Sequence, residues 1–334
     1  MAKRIYLLGA GEFVLRLLQW IGQQGWEGIA ITNPDQSKKT LQSTGLSFVE
    51  SLALLEISCV IVDKPEDIQL IVSQDGTDNH YLSYGAPWKI TSEVLAKTFQ
   101  DRLLNIHGTR LPRERGGTIF SWIILTGQKS GMCLVHKMTN QIDEGPIVSW
   151  EEFIYPPSCK IPADYIQFYE TKMFQFLKEL LEVGNTSEPY TLQPSYLSSY
   201  WPRLKADVHG WLNFDGTALE LERLVNAFDK PYGGARCRWN NKVVILRDTY
   251  SQAADGYSHP FQHGIVYRNN GKWLSVAVKE GELLVCDIKD EKGNDLMAEI
   301  KIGDRLYSLP GDKIATLQRV VKTKAGLITK SINF

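Results

Sequence analysis

Three polar residues occupy positions from which their side chains can act together: Asn105, His107 and Asp143. Asn105 and His107 are two residues apart in and just after the apolar segment 103–106, which we predict to be a strand. Because side chains alternate along a strand, the amide and the imidazole point to the same side and emerge into one crevice. Asp143 lies in the turn 139–145, after another predicted strand. An amide, an imidazole and a carboxylate are therefore candidates for one reaction centre.

The elements that hold these residues follow from the apolar periodicity of the first half of the chain. Strands are predicted at Ile5–Gly9, Gly28–Thr32, Val60–Val62, Leu70–Ser73, His80–Tyr84, Leu103–Ile106, Met132–Met138 and Pro146–Phe153. Helices are predicted at Glu12–Gln24, Ser92–Phe99, Gly117–Thr126 and Asp164–Val183, and a polar loop running into a helix at Asn33–Ser43. This alternation predicts an α/β fold: a Rossmann-like, mostly parallel sheet with helices on both faces. Ligands of such sheets bind beyond the carboxyl ends of the strands, where Asn105 and His107 lie.

The second half of the chain has a different character. A segment rich in Ser, Tyr and Pro predicts a linker, and after one helix at Leu219–Phe228 short strands follow with hairpin signals such as Asn240-Asn241. These strands are predicted at Ala235–Trp239, Val243–Leu246, Gly264–Tyr267, Leu274–Val278 and Leu283–Ile288. They predict a small antiparallel barrel, similar to an OB-fold. The predicted division is a catalytic domain at 1–184, a linker at 185–202, a β-rich domain at 203–310 and a tail at 311–334.

Composition excludes several classes of function. The net charge of −1 argues against a general binder of nucleic acid or membrane. The five cysteines are scattered and contain no CxxC pair, so they predict neither a disulfide framework nor a zinc site. With no long apolar segment at the N-terminus or elsewhere, we expect a cytoplasmic protein.

Three motifs resemble the signature of the folate-dependent formyltransferase family. They are Asn105-Ile106-His107, the Leu-Pro-x-x-Arg-Gly loop at 111–116, and Asp143-Glu144-Gly145, which begins 36 residues after His107. Residues 203–214 and 228–235 also resemble the second domain of longer, methionyl-tRNA formyltransferase-like members. The resemblance covers roughly residues 3–305. Taken singly, each residue of the trio has an ordinary interpretation as a turn residue or a satisfied polar group; the combined spacing favours function.

The resemblance implies transfer of a formyl group from 10-formyltetrahydrofolate, a co-substrate, to an amine, with no metal. Asn105 would stabilise the oxyanion that develops during the transfer. His107 would exchange the proton of the amine, and Asp143 would orient the imidazole. A departure from the family pattern is Gly108-Thr109, which replaces a Pro-Ser pair and puts the choice of acceptor in doubt.

Binding residues are implied by the same resemblance. Folate would contact the loop Tyr84-Gly85-Ala86-Pro87 and the neighbours of Asp143. The acceptor would contact the first glycine turn, a lysine and the arginine loop. The expected cofactor-binding residues are Tyr84, Gly85, Ala86, Pro87, Ile142 and Glu144, and the expected substrate-binding residues are Gly9, Gly11, Lys89, Arg113, Arg115 and Gly116. The other interpretation of the Tyr84–Pro87 loop is an ordinary strand-to-helix turn. A buried His136 is interpreted as a satisfied core histidine.

The acceptor divides the family into three classes: methionyl-tRNA, a nucleotide-linked amino sugar, and a small amine. Residues 200–334 hold 20 Lys and Arg against 16 Asp and Glu, a balance of +4, which is weak for a tRNA-binding domain. The appended barrel argues against the small-amine enzymes. We therefore expect a nucleotide-sugar N-formyltransferase serving lipopolysaccharide or surface-glycan synthesis, with a homodimer as one possibility and no nucleic-acid or membrane partner.

Two rivals come from other classes. Gly9-Ala10-Gly11 follows a strand and opens a helix, as in nicotinamide-dependent dehydrogenases, but the third glycine of that motif is missing. Glu12 would also repel a pyrophosphate at the helix N-terminus. A binding protein that lost catalysis is the other rival, and the intact trio argues against it.

Overall fold

The computed structural model describes residues 3–72, 79–183, 191–323 and 326–330. The chain divides into two compact units. The first unit comprises Met1–Arg115, Gly131–Phe153 and Tyr169–Tyr200; the second comprises Gly116–Ser130, Ile154–Phe168 and Trp201–Phe334. The domain boundaries drawn from the sequence stay predictions, and residues 184–190, which include the start of the predicted linker, lie outside the described residues.

A seven-stranded sheet forms the first unit. The strands of this part of the chain are β1 (Arg4–Gly9), β2 (Glu27–Thr32), β3 (Ser58–Ile61), β4 (Asn79–Tyr84), β5 (Leu103–His107), β6 (Arg115–Gly116), β7 (Ser130–Lys137) and β8 (Ile147–Ile154). The order in the sheet is β3-β2-β1-β4-β5-β7-β8. The first five strands are mutually parallel, and β7 runs antiparallel to β5. Residues Ile5–Leu8 of the central strand are at most 1% exposed, as expected for a parallel strand covered on both faces.

Helices alternate with these strands. They are α1 (Glu12–Gln23), α2 (Pro34–Ser37), α3 (Phe48–Leu54), α4 (Ser92–Phe99), α5 (Ile119–Thr126) and α6 (Pro162–Val183), with a 3₁₀ turn at Pro65–Leu70. Local sequence sets their starts. Ser47 and Glu50 form a reciprocal capping box at α3, and the Thr91 hydroxyl accepts from the Val94 N–H at α4.

The second unit contains a five-stranded antiparallel sheet. From its start the elements are β9 (Tyr200–Trp201), α7 (Ala206–His209), α8 (Ala218–Ala227), β10 (Ala235–Trp239), β11 (Lys242–Tyr257), β12 (Val266–Asn269), β13 (Leu274–Ala277), β14 (Glu280–Asp290), α9 (Pro310–Ala315), β15 (Arg319–Thr323) and β16 (Gly326–Lys330). The order of the sheet is β10-β11-β14-β13-β12. Further 3₁₀ turns lie at Ser195–Leu197 and Pro260–Gln262.

The segment 304–307 links the two edges of this sheet. Tyr307 exchanges backbone hydrogen bonds with Arg238 at one edge, and Leu306 donates to the Gly264 carbonyl beside the other edge. The sheet is thereby closed into a small barrel, which leaves few unpaired edge groups. Both parts of the predicted fold, a mostly parallel α/β sheet and a C-terminal antiparallel barrel, are confirmed.

One local prediction from the sequence was wrong. No strand forms at the predicted segment Leu70–Ser73: Leu70 ends the 3₁₀ turn, Ile71 and Val72 follow it outside any strand, and Leu70 is 89% exposed, so its apolar character did not mark a buried strand. Ser73 lies outside the described residues. In the polar segment Asn33–Ser43, predicted as a loop running into a helix, the helix is the short α2 near the start, because Asn33 caps the Gln36 N–H and Pro34 suits a first helical turn.

Within the described ranges, no helix combines the length and the apolar composition that crossing a bilayer requires.

Leu246 tests the core of the barrel, because it is fully buried on the strand between β10 and β14. Leu246→Ala is expected to lower the free energy of unfolding of this unit by about 2–5 kcal/mol through lost burial and a residual cavity. Native-state hydrogen exchange of the β10 and β14 amides measures it. Leu219→Ala, at a 48% exposed position of α8, is the matched control. Equal effects of the two substitutions would contradict this account of the core.

Candidate active site

Asn105 and His107 lie at the carboxyl end of β5, as the sequence predicts. The antiparallel register between β5 and β7 places His136 directly opposite Asn105. The Asn105 Nδ2 and His136 Nε2 atoms are 3.1 Å apart, which is hydrogen-bonding distance. A second histidine, which the sequence indicated only as a core residue, therefore belongs to the same cluster.

Asp143 completes the cluster. Its Oδ1 atom lies 3.6 Å from His107 Nδ1 and 3.8 Å from His136 Nε2. These separations are too long for hydrogen bonds, but they place a carboxylate of 12% exposure directly beside two imidazoles. The structure thus brings the three residues of the predicted reaction centre together, with His136 between Asn105 and Asp143.

The hydrogen bonds of His136 fix its tautomer. Its Nδ1 lies 2.8 Å from the Lys137 carbonyl, which can only accept, so Nδ1 carries the proton. Nε2 then presents a lone pair and accepts from the Asn105 amide. Burial, and after it the neighbouring His107, lowers the pKa of His136 to about 4. His136 is therefore neutral at physiological pH and serves as an acceptor.

Thr109 fixes the tautomer of His107 in the same way. The Thr109 hydroxyl donates to the Glu114 carbonyl at 2.7 Å and lies 2.6 Å from His107 Nε2. A hydroxyl has one proton, so toward His107 it accepts, and Nε2 must donate. The Nδ1 atom of His107 then faces Asp143 and is the ring position that can gain a proton. Thr109 is only 1% exposed, so the surrounding protein atoms keep water from replacing these hydrogen bonds.

A polar network holds the loop that carries Asp143. The Gln193 amide donates to the backbone carbonyls of Asp143, at 3.0 Å, and Gly145, at 2.6 Å. Arg115, which is 7% exposed, donates to Gln193 at 2.9 Å and forms an ion pair with Glu144 at 2.8 Å. Asp143 has a positive φ of 55°, a backbone conformation that needs such support in a residue other than glycine.

The expected folate loop follows β4, the strand beside β5. The Tyr84 hydroxyl donates to Glu170 at 3.0 Å, and the Gly85 carbonyl accepts from Gln36 at 2.9 Å. Ala86 and Pro87 continue this loop. On the other loop Ile142 is 60% exposed beside Asp143. These groups and the predicted trio of Asn105, His107 and Asp143 lie at the carboxyl ends of adjacent strands or in the loop 139–145.

The expected acceptor residues are more scattered. Gly9 ends β1, next to β4, and a Cβ added there would lie 2.0 Å from the Tyr84 carbonyl, so only glycine fits. Gly11 precedes α1 with a φ of 115°. Lys89 and Arg113 are exposed. Arg115 is committed to the network of the Asp143 loop, and Gly116 belongs to the second compact unit.

Family models match both halves of the chain. The model described as formyl transferase matches residues 87–155, which contain Asn105, His107 and Asp143, and the model of the formyl transferase C-terminal domain matches residues 206–301. The chain belongs to the formyl transferase family. The predicted family and the predicted class of enzyme, an N-formyltransferase, are confirmed.

Individual relatives of this formyltransferase are distant. The methionyl-tRNA formyltransferase of Borrelia recurrentis is 24% identical over 290 residues, which are 86% of this chain and 92% of that protein. The N-formyltransferase of Helicobacter canadensis, solved with folinic acid and dTDP-3-aminofucose, has a TM-score of 0.66 at 18% identity, over 86% of this chain and 100% of that chain. WlaRD, a sugar 3N-formyl transferase solved with dTDP and 5-N-formyl-THF, has a TM-score of 0.65 at 20% identity, over 85% and 97%. Both solved structures share the fold of this formyltransferase.

Sequence reasoning missed three residues of the site. His136 carried a weak signal, a histidine inside an apolar strand seven positions before Asp143. Thr109 was noticed only as a departure from the family pattern. Gln193 carried no signal, because it lies in a polar segment predicted to be a linker.

Gln193→Met tests the network of the Asp143 loop, because it keeps the side-chain length and removes both hydrogen bonds to the loop. We expect the kcat of formyl transfer to fall about tenfold or more, since buried partners left unpaired cost about 1–3 kcal/mol. Steady-state kinetics with varied formyl donor measures kcat apart from KM. Gln252→Met, at an exposed position of β11, is the control. An unchanged kcat in Gln193→Met would show that the loop holds Asp143 without this residue.

Proposed function

We propose that this formyltransferase transfers the formyl group of 10-formyltetrahydrofolate to the amino group of a nucleotide-linked amino sugar. The observation that carries the proposal is the convergence of Asn105, His107 and Asp143 at the carboxyl edge of the sheet. Formyl transfer needs a donor for an oxyanion and an acceptor for a proton at one point, and this cluster offers both.

The loops around the trio fit a folate. Gly85 and Ala86 of the loop 84–87 supply backbone N–H groups for the polar edge of a pterin, whereas Pro87 supplies a carbonyl alone. Ile142, 60% exposed, gives an apolar surface of the kind against which a flat ring packs. Bound here, 10-formyltetrahydrofolate supplies the formyl carbon, and its nitrogen departs with a proton. Relatives in the same fold were solved with folinic acid and with 5-N-formyl-THF, which supports this assignment.

Each residue of the trio then has one task. The amine nitrogen forms a bond to the formyl carbon, and the carbonyl electrons move to the oxygen. The second N–H of the Asn105 amide donates to that oxygen while the first stays bonded to His136. His107 takes the amine proton at Nδ1, and the Asp143 carboxylate, 3.6 Å away, stabilises the imidazolium. When the C–N bond to the folate breaks, the same proton goes to the leaving nitrogen.

The choice of acceptor rests on charge and on the fold neighbours. The balance of +4 over residues 200–334 gives little attraction for the phosphates of a tRNA, which dominate the affinity of a nucleic-acid binder. A nucleotide sugar needs only a few local contacts. Two solved structures that this chain matches over 97% and 100% of their length contain dTDP and dTDP-3-aminofucose, respectively. Relatives described as methionyl-tRNA formyltransferases make initiator tRNA the alternative acceptor.

Direct assay of acceptors decides between these two. The enzyme is incubated with 10-formyltetrahydrofolate and, separately, with dTDP-linked 3-amino and 4-amino sugars and with methionyl initiator tRNA. We expect mass spectrometry to find a gain of one formyl group on an amino sugar and none on the tRNA. Formylation of the tRNA alone would overturn the sugar assignment while leaving the formyl chemistry intact.

Substitutions in the trio test the chemistry itself. Asn105→Ala is expected to lower kcat by about 10²–10³-fold through loss of the oxyanion donor. His107→Asn is expected to lower it by about 10²–10⁴-fold through loss of proton exchange. Single-turnover assays with the best acceptor measure both, and circular dichroism checks folding. His259→Gln, an exposed histidine of the second unit, is the control. Turnover at the wild-type rate in His107→Asn would place the reaction centre elsewhere.

A further inference from the structure

We propose that His107, His136 and Asp143 form a binding site for one divalent transition-metal ion of the Zn²⁺ class, and that this ion inhibits the enzyme. In the part of the chain that the structure describes, these residues are the one group of three His, Cys, Asp or Glu side chains whose ligand atoms all lie within 4.8 Å of one another. The site coincides with the reaction centre, so the ion acts as an inhibitor and not as a cofactor of the transfer.

The first argument is the direction of the lone pairs. His136 Nδ1 donates to the Lys137 carbonyl, so Nε2 presents its lone pair. His107 Nε2 donates to Thr109, whose own proton goes to the Glu114 carbonyl, so Nδ1 presents its lone pair. Both of these atoms face Asp143 Oδ1. Two imidazole lone pairs and a carboxylate oxygen therefore converge on one point. Such a group of electron-pair donors binds a cation.

Distances favour a tetrahedral ion. Zn²⁺ bonds to imidazole nitrogen and carboxylate oxygen at about 2.0–2.2 Å, so tetrahedral ligand atoms lie roughly 3.4 Å apart. The two separations from Asp143 Oδ1 are 3.6 and 3.8 Å. Small side-chain rotations bring the three atoms to the required spacing. Two nitrogens and one oxygen, with a fourth position left open, match the ligand sets of zinc sites that are not purely structural.

The surrounding contacts match as well. A histidine that binds a metal nearly always donates its other ring N–H to a carbonyl or another acceptor, which orients the ring. His136 does so to Lys137, and His107 does so to the Thr109 hydroxyl. Asp143 sits in a loop held by Gln193. Binding of the ion at His136 Nε2 replaces the hydrogen bond that this atom accepts from Asn105.

Inhibition follows from the atom that the ion occupies. His107 Nδ1 is the position that takes the amine proton in the proposed function, so a bound ion blocks proton transfer. This consequence rests on the proposed function, whereas binding of the ion does not. The two are therefore measured separately.

Binding is tested on the full chain after chelation and gel filtration, without folate or acceptor. Zn²⁺ is titrated by calorimetry, and Co²⁺ is added as a spectroscopic substitute. We expect one ion per chain and the intense visible absorption of four-coordinate Co²⁺. Asp143→Asn and His136→Gln are each expected to weaken binding at least tenfold. Thr109→Val, which leaves the three ligands in place but removes the acceptor of the His107 N–H together with the hydrogen bond to the Glu114 carbonyl, is expected to weaken it about 10–100-fold.

The control is His259→Gln, an exposed histidine outside the group, which is expected to bind Zn²⁺ as the wild type does. Equal affinity in Asp143→Asn, His136→Gln and the wild type would overturn the site. Near-ultraviolet absorption typical of a Co²⁺–thiolate bond would overturn it too, because it would place the ion on cysteines. Circular dichroism of each variant separates lost binding from lost folding, with Thr109→Val as the mildest change. Zn²⁺ binding without inhibition would overturn the inhibitory role alone.

Discussion

The site depends on one register: the antiparallel pairing of β5 with β7 that sets Asn105 opposite His136. In the sheet order, the neighbouring strands β3, β2, β1, β4 and β5 all pair in parallel. The strand direction therefore first reverses at the pair of β5 and β7. A slip of one residue would turn His136 to the other face and leave the Asn105 amide without its partner. The apolar residues of β7, which are buried along with His136, oppose such a slip. Packing of the core thus fixes the geometry of the reaction centre.

This register also explains which parts of the site the sequence could predict. Alternation along a strand is local, so the common direction of Asn105 and His107 followed from spacing alone. The position of Asp143 followed from the resemblance to a known signature. By contrast, the roles of His136, Thr109 and Gln193 depend on partners that only the folded chain brings near. Gln193 lies 50 residues from the backbone carbonyl that it holds, and no local pattern encodes that distance.

The same distinction holds for the fold: elements set by local sequence patterns were predictable, and contacts between residues distant in sequence were not. Strands buried on both faces, such as β1, can be recognised in the sequence as continuous apolar runs. Leu70 failed as a signal because one exposed apolar side chain in a short run cannot be distinguished from a core residue without knowing what covers it. Closure of the barrel by the segment 304–307 could not be predicted from the sequence either, because those residues pair through backbone groups in isolated bridges, which carry no side-chain pattern.

The tautomers of the two histidines connect the structure to the chemistry. Two imidazole lone pairs and a carboxylate that converge stabilise a positive charge placed among them, and burial strengthens that interaction because it weakens the screening. The proton released by the attacking amine is such a charge, and it appears only as the new bond forms. Thr109 and Lys137 hold the rings so that both lone pairs face Asp143 before that moment. In the proposed function, the cluster therefore stabilises the charge distribution of the transition state more than that of the bound reactants, which is the condition for catalysis. The same arrangement of lone pairs is the basis of the proposed inhibition by a divalent cation.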